Sequence, residues 1–149
     1  MITQIYRRVD LAAEQLDNAI SLFLEKRSYV SALTLAGAAE EILRMALKFE
    51  GKTSSLGFRF EVFAEAHAAQ YGEELEWAAF ADRENHARNA AKHMRTTGET
   101  AVTVDLEEAA LWMIVRAIDN HERLGRSRTE KMVEFGDWFY EHVVGIQSE

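Results

Sequence analysis

No proline occurs anywhere in the 149 residues, and this absence constrains the fold more than any other feature of the sequence. Proline ends or kinks helices because it lacks a backbone N–H and its ring clashes with the preceding turn. Hydrophobic residues make up 48% of the chain, which is enough for one core at single-domain length. We therefore expect an all-α fold: a single helical bundle of about five to six helices, with residues 1–149 forming one domain.

Apolar residues recur at helical spacing in six segments that are separated by short polar breaks. The predicted helices are residues 3–24, 29–49, 58–70, 75–93, 106–124 and 128–143. The predicted N-caps of the first, fifth and last helices are Thr3, Asp105 and Ser127. Gly51 and Gly125 are predicted to end the second and fifth helices. The second helix has small residues at its centre, which permit a neighbouring helix to approach closely.

The charge and the cysteine count narrow the range of functions. A formal net charge of −8 opposes broad binding to nucleic acid, so contact with RNA needs a local basic patch. The chain has no cysteine, which excludes disulfides, thiolate zinc sites and a cysteine nucleophile. The N-terminal segment is charged throughout and lacks the apolar run of a signal peptide or membrane span. We expect a cytoplasmic protein that does not associate with membranes.

A basic patch of this kind lies in FADRENHARNAAKHMRTTGE, residues 80–99. Four cations, two histidines and two asparagines fall between positions 82 and 95. Residues three or four positions apart lie on the same face of a helix. This spacing puts four side chains on one face: Asp82, His86, Asn89 and His93. Arg88 and His93 are about 140° apart on an ideal helix, so they converge on one ligand only if the arginine wraps around or the helix distorts near its end. The pattern fits either a solvated helix face or a functional site.

The order of residues in this patch resembles a known motif. RNAAKH, residues 88–93, resembles the R-x4-6-H motif of the HEPN (higher eukaryotes and prokaryotes nucleotide-binding) superfamily. The preceding YVSALTLAGAAEEILRMAL is similar to the superfamily helix in which small residues precede an acidic pair. Residues 89–125 also resemble a group of small bacterial proteins with no assigned activity that share an Asn-x-x-Lys-His core. The resemblance covers roughly residues 29–125.

The resemblance implies a HEPN-like helical domain that forms a homodimer in which two motif helices meet. In active members it implies a metal-independent endoribonuclease without a cofactor, often the toxin of a toxin–antitoxin pair whose partner is a cognate antitoxin. Metal-free RNA cleavage needs proton transfer at the 2'-hydroxyl and the 5'-oxygen, together with positive charge on the transition state. His93 suits the proton transfers and Arg88 suits the charge, while Asn89 orients His93 or binds a phosphate oxygen. Because one chain has one motif histidine, two copies would supply base and acid.

Further residues are predicted to support these three catalytic residues. The predicted substrate-binding residues are Arg83, His86, Lys92 and Arg95. Glu40 or Glu41 is expected to pair with a motif cation such as Arg88. Two alternatives stay open: a catalytically inactive HEPN-like module that binds a protein or nucleotide, and a metal-binding bundle. A metal site would use Glu40, Glu41, His86 and His93, but the Glu-x-x-His signature of di-iron bundles is absent.

Overall fold

A computed structural model describes residues 1–145, and every regular element within that range is a helix. The α-helices are α1 (Arg8–Leu24), α2 (Tyr29–Phe49), α3 (Ser55–Tyr71), α4 (Trp77–Glu84), α5 (His86–Lys92), α6 (Leu106–Arg123) and α7 (Glu130–Phe139). A π-helical turn, Tyr140–Val144, extends α7. The predicted all-α bundle is confirmed, with seven α-helices in the described residues rather than five or six. Residues 146–149 of the predicted domain lie outside the described range.

The core is built around α2, which packs along α1 on one side and along α6 on another. The small residues predicted to allow close helix approach, Ala36, Gly37 and Ala39, are all buried inside the chain. The α7 helix closes the core next to α1, where its Phe135 and Trp138 rings meet Phe23 at centroid distances of 5.8 and 5.1 Å. Within residues 1–145, no helix combines the length and the apolar composition needed to cross a membrane.

The observed N-caps confirm one predicted helix start and place two others at different residues. The Asp105 carboxylate accepts a hydrogen bond from the Glu108 N–H at 2.9 Å, which confirms it as the N-cap of α6. The last helix is capped by Thr129 instead of Ser127, because the Thr129 hydroxyl accepts from the Met132 N–H at 3.2 Å. The α3 helix starts earlier than predicted, directly after a serine that caps it.

The first helix was also predicted to start too early. It begins at Arg8, and the predicted N-cap Thr3 lies in a non-helical, exposed segment, residues 1–7. Ile5 matches the helical spacing of the core residues, but its side chain is fully exposed. A short amphipathic stretch that buries nothing gains too little from packing to offset the cost of ordering its backbone.

The predicted fourth helix, residues 75–93, is in fact two helices. The α4 helix ends before Asn85 and α5 begins directly after it, and the backbone angles at Asn85 are φ −105° and ψ 6°. Arg116 of α6 holds this corner: its Nη1 donates to the Glu84 carbonyl oxygen at 3.3 Å and its Nη2 donates to Asn85 Oδ1 at 3.1 Å. A side chain on a distant helix therefore fixes the point at which the motif helix starts.

Candidate functional site

Glu40 of α2 is fully buried and is surrounded by three arginines. Arg116 Nη2 lies nearest, 3.0 Å from Glu40 Oε1. Arg88 Nη1 is 3.8 Å from Glu40 Oε2, and Arg44 Nε is 3.9 Å from Oε1. A buried carboxylate is costly unless cations pair with it, and these side chains supply the pairing. We call Glu40, Arg44, Arg88 and Arg116 the arginine cluster.

Arg88, the arginine of the predicted motif, is held against α2. Its Nη1 is also 3.8 Å from Glu41 Oε2, so Arg88 lies beside both glutamates of the acidic pair, where the sequence predicted pairing with one of them. The stem of Arg88 crosses Gly37, where an added Cβ would lie 2.5 Å from Arg88 Cδ. The absence of a side chain at Gly37 therefore makes room for Arg88.

Arg88 also fixes the side chain of the next residue, Asn89. Its Nε and Nη2 donate to Asn89 Oδ1 at 3.4 and 3.2 Å. With its oxygen occupied in this way, Asn89 has its amide NH₂ left to donate to a ligand. The Arg88 guanidinium is thus committed to Glu40, Glu41 and Asn89 within the chain.

His93 lines a different part of the surface, which we call the histidine groove. This groove has a volume of 470 Å³ and lies between α5 and the connection to α6. Its polar lining includes Asp82, His86, Asn89, His93, Arg95 and Glu99. The α5 helix ends at Lys92, and His93 has extended backbone angles, φ −134° and ψ 137°. The polar face predicted from the spacing is therefore gathered at one groove despite the break at Asn85.

A second groove, of 540 Å³, lies between α5 and α6, and we call it the arginine groove. Its lining includes Arg59, Arg83, His86, Arg88, Glu108 and Arg116. Arg88 lines this groove and His93 lines the histidine groove, so the two motif residues do not share a groove within the described chain. His86 lines both. Arg83 also lies over the ring of Phe80, with its guanidinium carbon 5.6 Å from the ring centroid.

The charges of the histidine groove are mixed. Arg95 contributes a guanidinium, while Asp82 and Glu99 contribute carboxylates. Glu99 Oε2 accepts a hydrogen bond from the Arg95 backbone N–H at 2.9 Å, which ties the two ends of the groove wall together. Lys92 is exposed at the end of α5 and lines neither groove. Arg95 therefore supplies positive charge to this groove against the two carboxylates.

Sequence reasoning missed Arg116 and Asn85, which organise the site. Arg116 lies among apolar residues in WMIVRAI of α6, and its side chain is only 6% exposed. A charged residue within an otherwise apolar helical stripe is the signal that could have revealed it, since a buried cation requires a partner. Glu40 and Glu41 in α2 were the acidic residues available as partners for Arg116.

Comparison of the chain with protein-family models, with curated proteins and with solved structures finds no match. The resemblance to the HEPN superfamily thus stays a prediction, which rests on residues 88–93 and the helices around them. Among the 145 described residues, no group of three or more histidine, aspartate and glutamate side chains is arranged to hold a metal ion.

Proposed function

We propose that this chain is a HEPN-like endoribonuclease that cleaves RNA without a metal, with the phosphate bound in the histidine groove. His93 transfers a proton, Asn89 donates its amide N–H to a phosphate oxygen, and Arg95 supplies positive charge. Arg88 acts indirectly, by fixing the orientation of the Asn89 side chain. The resemblance further implies a second copy of the chain and an antitoxin as partners.

The observation that carries the proposal is the position of His93. The motif histidine follows the last residue of α5 and lines a groove together with Asn89 and Arg95. An exposed imidazole beside an amide donor and a guanidinium meets the chemical needs of phosphodiester transesterification, because imidazole titrates near neutral pH and arginine keeps its charge.

The decisive experiment is cleavage of a single-stranded RNA by the purified protein in excess EDTA. We expect products that end in a 2',3'-cyclic phosphate, because the 2'-oxygen is the nucleophile. His93→Ala should lower the rate by about 10² to 10⁴ while the melting temperature stays nearly constant, since the side chain is exposed. His67→Ala, on α3 and outside both grooves, is the matched control and should cleave like the parent. Cleavage that requires a divalent metal and leaves 5'-phosphates would contradict the mechanism.

One observation favours a second candidate, an inactive HEPN-like binding module. The guanidinium of Arg88 is committed to two carboxylates and an amide, so it is not free to contact a transition state directly. On this alternative the parent cleaves no RNA, and Arg88→Ala and His93→Ala both fold and lower the affinity for a bound oligonucleotide. Titration calorimetry with the same single-stranded RNA measures that affinity.

A further inference from the structure

The histidine groove contains two imidazoles from one chain. His86 is the first residue of α5 and His93 directly follows its last residue, and both side chains are exposed and line the groove. Asn89 lies between them in the sequence, three residues after His86 and four before His93. The groove is thus lined by two imidazoles and by the amide that lies between them in the sequence.

We infer that His86 and His93 of the same chain are the two proton-transfer groups of one RNA-cleaving site. This inference rests on the proposed ribonuclease function and specifies its mechanism. The superfamily resemblance implies that two copies each contribute a motif histidine. The groove instead supplies both groups within a single chain, so its chemistry is complete without the partner's His93.

The reaction balances with these two groups alone. A neutral imidazole takes the proton of the RNA 2'-hydroxyl, and the 2'-oxygen forms a bond to phosphorus. The bond between phosphorus and the 5'-oxygen breaks, and the second imidazole, initially protonated, gives its proton to that oxygen. The products are a 2',3'-cyclic phosphate and a 5'-hydroxyl, and the two imidazoles have exchanged protonation states. Proton exchange with water restores them.

The geometry suits an in-line displacement. The groove that His86 and His93 line has a volume of 470 Å³, which is large enough to take a phosphodiester group. In such a displacement the attacking and leaving oxygens lie on opposite sides of phosphorus, which is where two flanking imidazoles are needed. Asn89 lines the same groove and donates its amide N–H to a nonbridging oxygen, and its orientation is set by the bonds from Arg88 to its Oδ1.

His86 directly follows the break at Asn85 and is the first residue of the new helix, α5. Arg116 holds the corner through Glu84 and Asn85. His86 therefore stands on an element whose start is fixed from the core, as a proton-transfer group requires.

The experiment measures RNA cleavage against pH for the parent, His86→Ala, His86→Gln, His93→Ala and His67→Ala. The parent should show a bell-shaped profile, because one imidazole must be neutral and the other protonated. Each single variant at position 86 or 93 should cleave about 10² to 10⁴ times more slowly than the parent, and its pH profile should lack one of the two limbs. His67→Ala should keep the parental rate and both limbs. His86→Gln keeps a polar side chain at the start of α5, so its loss of activity cannot be attributed to misfolding if it melts like the parent.

Mixing the two inactive variants tests whether the imidazoles act in one chain. An equimolar mixture of His86→Ala and His93→Ala, refolded together, contains no chain with both imidazoles and should stay inactive. Recovered activity would show that the groups come from different copies and would overturn the inference. Parent-like activity of His86→Ala with an inactive His93→Ala would overturn it too, while leaving the proposed function standing. A parent that cleaves no RNA would overturn both.

Discussion

Arg116 is the residue on which the site most depends, because it contacts three groups on two separate parts of the structure. Its guanidinium joins Glu40 of α2, the carbonyl oxygen of Glu84 at the end of α4, and the Asn85 side chain. The side chains of Arg116 and Glu40 are 6% and 0% exposed. Removing Arg116 takes away the nearest cation of a fully buried carboxylate and leaves it only the longer contacts with Arg44 and Arg88.

Replacing Arg116 with methionine should therefore destabilise the protein strongly. We expect Arg116→Met to lower the free energy of unfolding by about 3–5 kcal/mol, because Glu40 loses its nearest cation. Arg27→Met is the control: Arg27 pairs with Glu25 at 2.8 Å, but its side chain is 63% exposed. That change should cost less than about 1 kcal/mol.

Urea unfolding followed by circular dichroism measures both values. The double variant Arg116→Met, Glu40→Met should recover a large part of the lost stability, since no charge is then left buried without its closest partner. Equal stability losses for Arg116→Met and Arg27→Met would show that the buried ion pair contributes no more to the free energy of unfolding than the exposed one.

At the scale of the helices, one of the contacts between α5 and α2 depends on a glycine. The Arg88 stem crosses Gly37, and the same arginine then reaches Glu40 and Glu41 one turn further along α2. Gly37 lies in a helix interior, where alanine is ordinarily the better residue by about 1 kcal/mol. Its presence there is explained by the room it leaves for Arg88.

A double-mutant cycle tests this explanation. Gly37→Ala should destabilise the protein by about 1–3 kcal/mol, because the new methyl group displaces an arginine stem that ion pairs hold in place. In an Arg88→Ala background the same substitution should instead stabilise the protein by up to about 1 kcal/mol, since alanine is then simply the better helix former. Thermal unfolding of the four proteins gives both values. A stabilising Gly37→Ala in the parent would show that Arg88 moves aside freely.

The helices also show which features the sequence could predict. Apolar spacing located the helical segments but not the division between α4 and α5, and the capping residues located the start of α6, because both signals are local. The break at Asn85 escaped prediction since its cause is Arg116, a side chain 31 residues further along the chain. The same limit applies to the site: the spacing grouped His86, Asn89 and His93 correctly, but the direction of the Arg88 side chain depends on α2.

At the scale of the whole molecule, the main open prediction is self-association. The buried small residues of α2 are used inside the chain, so they offer no surface to a second copy. Exposed apolar side chains remain on α3, where Phe58, Val62 and Phe63 are between 45% and 51% exposed. Association that covers apolar surface of this kind removes it from water.

We expect the protein to sediment as a homodimer of about 34 kDa, twice the 17.0 kDa chain, because the resemblance implies a two-fold pairing of motif helices. Sedimentation equilibrium at tens of micromolar and at several loading concentrations measures the mass. A mass of 17.0 kDa at every concentration would contradict the dimer. It would leave the single-chain pair of His86 and His93 as the remaining mechanism.

The ion pair between Arg116 and Glu40 can form only after both residues have been synthesised. The two residues are 76 positions apart, so a ribosome that adds roughly 5–20 residues per second makes the arginine about 4 to 15 seconds after the glutamate. During that interval α2 carries a carboxylate whose closest cation does not yet exist, and the corner at Asn85 has nothing to hold it. The contacts that Arg116 makes with Glu40, Glu84 and Asn85 can therefore form only after α6 has been synthesised. A chain interrupted before position 116 carries the whole RNAAKH motif without the support that shapes its site.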